Sequence, residues 1–230
     1  MLRMGRPVTR RARWIIGLGA AAAFLLLVAA AIVYLALQRV PEFYRQALVQ
    51  DSASARAASD KMIQRSSVLA SDLNKAGRWQ AVFSAAEING WLAVDLVENH
   101  PIELPPGFES PRVAITPTQV LLACRVRRYG TSSVVSLAVE PYLAEPDVIA
   151  LRLRSVRAGA IPLPLRPLLD ALTQQAERAN MRVQWRHSGG DPVALLSFGP
   201  PSGGRRRQLH VDKLSLAEGK IHVAGTATER

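Results

Sequence analysis

One stretch constrains this chain more than any other: Trp14 to Leu37, twenty-four residues (WIIGLGAAAAFLLLVAAAIVYLAL) without a charge. As a helix it would run about 36 Å at 1.5 Å per residue, longer than the ~30 Å hydrocarbon core of a bilayer. Trp14 and Tyr34 lie towards its ends, where amphipathic rings favour the membrane–water interface. Arg3, Arg6, Arg10, Arg11 and Arg13 precede it with no acidic residue among them, whereas Arg39, Glu42, Arg45 and Asp51 follow in mixed sign. Positive charge is retained on the cytoplasmic side of a span. The expectation is therefore a basic cytoplasmic tail (1–13), a single transmembrane helix (14–37) in the cytoplasmic membrane, and everything beyond it extracytoplasmic. A cleaved signal peptide would share the arginines and the small residues Ala29, Ala30 and Ala31. Its apolar region is ordinarily about 7–15 residues, however, and this one continues through Ile32, Val33, Tyr34 and Leu35.

The net charge of +11 over 230 residues has to be divided before it is used. With the five tail arginines set aside, residues 14–230 carry 24 basic against 18 acidic side chains. Only Lys61, Lys75, Lys213 and Lys220 are lysines, a bias that points to base composition of the coding sequence rather than to nucleic-acid binding. A mildly basic exterior domain suits anionic lipid headgroups, so membrane lipid is expected as a partner and nucleic acid is not. The single cysteine, Cys124, excludes an internal disulfide and any multi-cysteine metal site.

After Pro41, residues 42–76 read as one helix. Leu48, Ala55, Met62, Leu69 and Ala76 recur every seven residues, with Ser52, Ser59, Ser66 and Leu73 beside them. A stripe of small and apolar residues suits a helix that leans on another surface: its own domain, or a second copy as a dimerising stalk. Residues 38–77 are accordingly expected to form a juxtamembrane helical stalk, and 78–230 an exterior domain. Arg78–Phe83 reads as a strand, and Ser84 with Glu87 as a capping box opening a helix. Two hairpins can be tested for register. A turn at Pro117-Thr118 sets Val113 against Leu122, Ile115 against Val120, Ala114 against Leu121 and Arg112 against Ala123. A turn at Glu218-Gly219 sets Ile221 against Leu216 and Val223 against Leu214. Apolar side chains meet apolar side chains in both. Strands are also expected over Ser132–Glu140, Val148–Val156, Met181–His187 and Val193–Phe198. The Pro-rich IPLPLRP leads into a helix with Leu165, Leu168, Leu169, Leu172, Ala176 and Ala179 on one stripe. The fold class predicted is α+β: the membrane helix and juxtamembrane helix, then a curved, mostly antiparallel sheet of seven to nine strands packed with two amphipathic helices.

Residues that could carry chemistry are sparse. His100, His187, His210 and His222 show no i, i+2 or i, i+4 ligand spacing. No G-x-S-x-G elbow occurs, and Cys124 falls on the strand face of Leu122 and Val126, the place of a small buried hydrophobe. Asp95 with Glu98 and Asp170 with Glu177 read as solvated surface. Gly203-Gly204 precedes arginines but no Lys-Ser/Thr, so no phosphate loop is present. No enzyme activity, cofactor or metal is expected. Arginine alternates with apolar residues at Arg125 and Arg127 and again at Arg152 and Arg154. Were those strands adjacent they would form a basic patch able to fork onto phosphate; the ordinary alternative is the wet face of a half-buried sheet.

PEFYRQAL, GRWQAVFSAAEINGWLAVDL and GAIPLPLRPLLDAL resemble segments of a group of membrane-anchored bacterial proteins of planctomycete type. The order of parts is also distantly similar to YpmS-type proteins: an anchor, a helix start of the form Ser84-x-x-Glu87-Ile88-Asn89, strands, and a Gly159-x-Ile161-Pro162-Leu163-Pro164 lead into a helix. The first resemblance spans most of 41–187, the second only these patches. The second implies a lipid-binding kind of fold in which a curved sheet wraps a helix, and neither supplies catalytic residues. The expectation is a non-enzymatic, membrane-anchored exterior domain that binds lipid or another apolar envelope component through the Leu165–Ala176 stripe. The alternative is an interaction module that docks an envelope protein through the stalk or a sheet edge.

Overall fold

The computed structural model describes residues 10–49, 51–99, 107–128, 130–166, 169–170, 173–174, 183–197 and 208–228, with side chains in the N-terminal helix from Ala23 onward. That helix, α1, covers Arg10–Leu37. Every side chain from Ala23 to Leu35 is exposed. Counted from Ala23, no single helix is long and apolar enough to cross a membrane; Ala23–Leu37 and Glu42–Leu48 pass that test together, bent by 48°.

Where the sequence predicts one helix over 42–76, two form: α2 (Glu42–Leu48) and α3 (Ser52–Leu73). Asp51 divides them. Its backbone is extended, and its carboxylate accepts the Ser54 N–H at 2.9 Å and the Ser54 hydroxyl at 2.7 Å. An Asp that satisfies otherwise orphaned amides starts a helix rather than continuing one. Part of the heptad stripe is turned inward, while Ser52, Ser66 and Ala76 stay exposed. Ala55 and Ser59 are buried against α4 (Ala85–Ala93), where a Cβ added at Gly90 would lie 2.6 Å from Ala58 Cβ and 2.7 Å from the Ala55 oxygen. Leu69 and Leu73 pack on the cluster around Trp79. The capping box closes as the residues require: Ser84 Oγ accepts the Glu87 N–H and Glu87 accepts the Ser84 N–H. A short turn, α5 (Asp95–Glu98), follows.

Among the described residues ten strands form two antiparallel sheets, not the single sheet expected. Seven strands make the larger one: β2 (Phe108–Ile115), β3 (Val120–Arg128), β4 (Thr131–Glu145), β5 (Val148–Ala158), β6 (Ile161–Pro162), β7 (Val183–Ser188) and β8 (Asp191–Ser197). Their order is β2-β3-β4-β5-β8-β7, with β6 beside β5. The smaller sheet has the order β1-β10-β9, from β1 (Gly77–Ser84), β9 (Gln208–Ala217) and β10 (Lys220–Thr228). The division has a plain cause. β1 is separated from β2 by two helices and a Pro-rich link, so its edge is free to take up the far C-terminal hairpin. Both tested hairpins adopt the register that sets apolar residues opposite apolar residues: Val113 opposes Leu122, Ile115 opposes Val120, Ile221 opposes Leu216 and Val223 opposes Leu214. Trp79, Val211 and Ala227 centre the core between the sheets, with Leu143 and Ile149 from the larger one. Asp147, in the β4–β5 turn with φ +66°, ties the sheets by accepting the Val211 N–H at 2.8 Å and meeting His210 Nδ1 at 2.7 Å.

Candidate functional site

The end of α1 is built into the larger sheet. A helix leaves its last carbonyls without intrahelical partners, and here two of them are taken by the sheet: Ala160 N–H donates to the Ala36 oxygen at 2.8 Å, and Ser133 Oγ donates to the Leu37 oxygen at 2.8 Å. The contact is close because residue 159 is glycine. At φ +58°, a Cβ there would lie 2.3 Å from the Ala36 oxygen and 2.6 Å from the Leu37 oxygen. Gly159 N–H in turn donates to the Val134 oxygen.

α2 completes the attachment. Tyr44 is fully buried against Ala123 and Val134, with Phe43 and Leu48 beside it. Its hydroxyl donates to the Ser110 oxygen at 2.9 Å, and burial pushes its pKa above the ordinary value of 10.0. Arg112 Nε donates to the Ala47 oxygen at 3.2 Å. The chain between the two helices, Arg39-Val40-Pro41, is thus pinned from both sides.

Between that segment and the sheet lies a cleft of about 410 Å³. Register shows what lines it. Leu121 opposes Ala138, which opposes Ser155; Ala123 opposes Ser136, which opposes Arg157. Side chains alternate between faces along a strand, so Leu121, Ser136, Ala138, Ser155 and Arg157 share the face that α2 covers. Arg39 closes the cleft from the α1 side, and none of its lining residues is acidic. Both arginines are exposed, and neither has an ion-pair partner among the described residues. A second cleft of about 400 Å³ lies farther along the sheet beside Tyr142, Gln184, Arg186 and Leu195; Glu145 lines it too, and it is remote from α1.

The arginines singled out by alternation fare differently. Arg125 and Arg127 are on β3, Arg152 and Arg154 on β5, and β4 runs between them. Arg127 pairs with Glu109 at 3.2 Å. Arg154 reaches both Glu140 and Asp191 at 2.8 Å, while Arg152 stacks 5.2 Å over the Tyr142 ring with Glu140 at 3.6 Å. The charge of Arg125 faces the Tyr44 phenol. Of the apolar stripe, Leu165 and Leu169 are half-buried and joined by a helical N–H to O bond of 3.0 Å; Leu168, Leu172 and Ala176 lie outside the described residues. Cys124 is half-buried, and burial raises its thiol pKa.

Comparison with protein-family models, with curated proteins and with solved structures finds no match to this chain. The residues alone carry the functional reading.

Proposed function

We propose that this chain is a single-pass, non-enzymatic membrane protein whose α+β domain is held on the extracytoplasmic face of the cytoplasmic membrane, where it engages lipid. The observation that carries the reading is the exposure of α1. Phe24, Leu25, Leu26, Leu27, Ile32, Val33, Tyr34 and Leu35 are each at least half exposed. Burying side chains of this size is worth roughly 1.5–3 kcal/mol apiece, so leaving eight in water forgoes an amount comparable to the ~5–15 kcal/mol that holds a domain folded. A helix apolar on all sides belongs in a protein core or in a bilayer, and the domain covers none of these side chains. The arginines before Trp14 favour an inside N-terminus.

Alkaline carbonate washing of membranes from producing cells, followed by protease treatment of spheroplasts, tests this reading. The chain is expected to stay with the membrane and to lose its C-terminal domain to external protease. Release into the wash refutes the anchor, and a protected domain refutes the orientation. Docking of an envelope protein is the second reading. Because α3 turns its stripe onto α4, the docking surface would be a sheet edge, of which β7 is one end.

A further inference from the structure

We propose that the cleft between the end of α1 and the larger sheet binds the phosphate-bearing headgroup of an anionic phospholipid, an assignment that rests on the membrane-anchored reading above. Its depth fits. Headgroup layers add roughly 5–7 Å beyond each side of the hydrocarbon core, and Arg39, Val40 and Pro41, which wall the cleft, are the first residues past the end of α1 at Leu37. The bonds from Ala160 and Ser133 to the last α1 carbonyls keep the cleft at that depth instead of letting it swing on a linker.

Its chemistry fits as well. Arg157 on β5 and Arg39 both line the cleft, together with Ser136, Ser155 and Gln119. Guanidinium groups and hydroxyls are the donors that phosphate oxygens require. The same strand shows the contrast: Arg152 and Arg154 are neutralised by Glu140 and Asp191, whereas Arg157 has no acidic partner among the described residues. The remaining wall is apolar, from Val40, Phe43, Leu121 and Ala138. Free phosphate has no use for such a wall; the glycerol esters and first methylenes of a lipid do. The volume of about 410 Å³ falls within the ~300–1,000 Å³ usual for small-molecule sites.

The test uses the full chain in nanodiscs of phosphatidylcholine mixed with phosphatidylglycerol, with native mass spectrometry counting the lipid retained on release. The wild-type chain should keep one phosphatidylglycerol in preference to phosphatidylcholine. Arg39→Gln with Arg157→Gln should lower that preference tenfold or more, a loss of at least about 1.4 kcal/mol. Arg78→Gln, on β1, should leave it unchanged. No preference in the wild type, an undiminished one in the double variant, or an equal loss in Arg78→Gln overturns the site. Displacement of the bound species by inorganic phosphate makes the ligand free phosphate and overturns the lipid assignment. Failure of the chain to enter bilayers of either composition defeats the anchored reading itself, whereas entry without preference defeats only the headgroup site.

Discussion

Gly159→Ala is the sharpest perturbation of the joint between α1 and the sheet. Two costs combine. A residue with a Cβ at φ +58° sits in the left-handed region at a cost of roughly 1–2 kcal/mol. The Cβ would also stand 2.3 Å and 2.6 Å from the Ala36 and Leu37 oxygens. Both are backbone atoms, so α1 must withdraw. Withdrawal breaks the bonds from Ala160 and Ser133, each contributing roughly 0.5–1.5 kcal/mol net. Gly189→Ala separates the two costs, because Gly189 has φ +62° but nothing within 4 Å of an added Cβ. The difference between the variants is therefore the joint alone, about 1–3 kcal/mol from two bonds. At roughly 2–4 °C per kcal/mol for a chain of this size, Gly159→Ala should melt about 2–12 °C below Gly189→Ala when the full chain is unfolded thermally in detergent. Equal melting temperatures would mean that α1 is not held by the sheet, and the fixed depth of the cleft would go with it.

Three further outcomes follow from the packing. Gly90→Ala gains up to about 1 kcal/mol of helix propensity, but its Cβ would come within 2.7 Å of the Ala55 oxygen and the Ser59 nitrogen. Overpacking at roughly 1–3 kcal/mol should win, and a melting temperature raised by this substitution would show that α3 is not packed on α4. Asp147→Asn keeps a residue that tolerates positive φ while removing the carboxylate charge shared by His210 and the Val211 amide. A loss of about 1 kcal/mol is expected, and no change in urea midpoint would remove this contact from the account of how the two sheets join. Tyr44 sets an alkaline limit. Its folded pKa is raised above 10.0 by burial, so above pH 10 the unfolded chain releases a proton that the folded chain keeps, and stability falls as pH rises towards the folded value. A spectrophotometric titration in which every tyrosine ionises near pH 10 without loss of structure would contradict that burial.

What the sequence made legible was local. Hairpin registers at Pro117-Thr118 and Glu218-Gly219 follow from alternation because the partners lie within a few residues and slippage by one would turn Val113 or Ile221 to water. The Ser84–Glu87 capping box is likewise written in four residues. The Asp51 cap was equally visible in Asp51-Ser52-Ala53-Ser54, but a heptad stripe running across it favoured one long helix. Pairings set by tertiary contact could not be read. β1 joins β10 across 136 to 150 residues of chain, which is why two sheets stand where alternation suggested one. The same limit governs the arginines: alternation placed Arg152 on a strand, but only the β4–β5 register puts Glu140 opposite it.

The cleft illustrates the point from the other side. Arg39 looks like a routine charge closing an apolar run, and Arg157 like one more alternating arginine. Their relation is created by Gly159, which lets the sheet approach the end of α1 so closely that residues 39 and 157 wall the same space. In the sequence the glycine only heads the Gly159-x-Ile161-Pro162-Leu163-Pro164 lead into a helix, and nothing local says which other backbone will meet it. Since the close approach needs the absence of a side chain at one position, the geometry of the cleft depends on a residue that brings no side chain to it. A substitution there should weaken headgroup preference as much as removing an arginine does, while leaving both guanidinium groups in place.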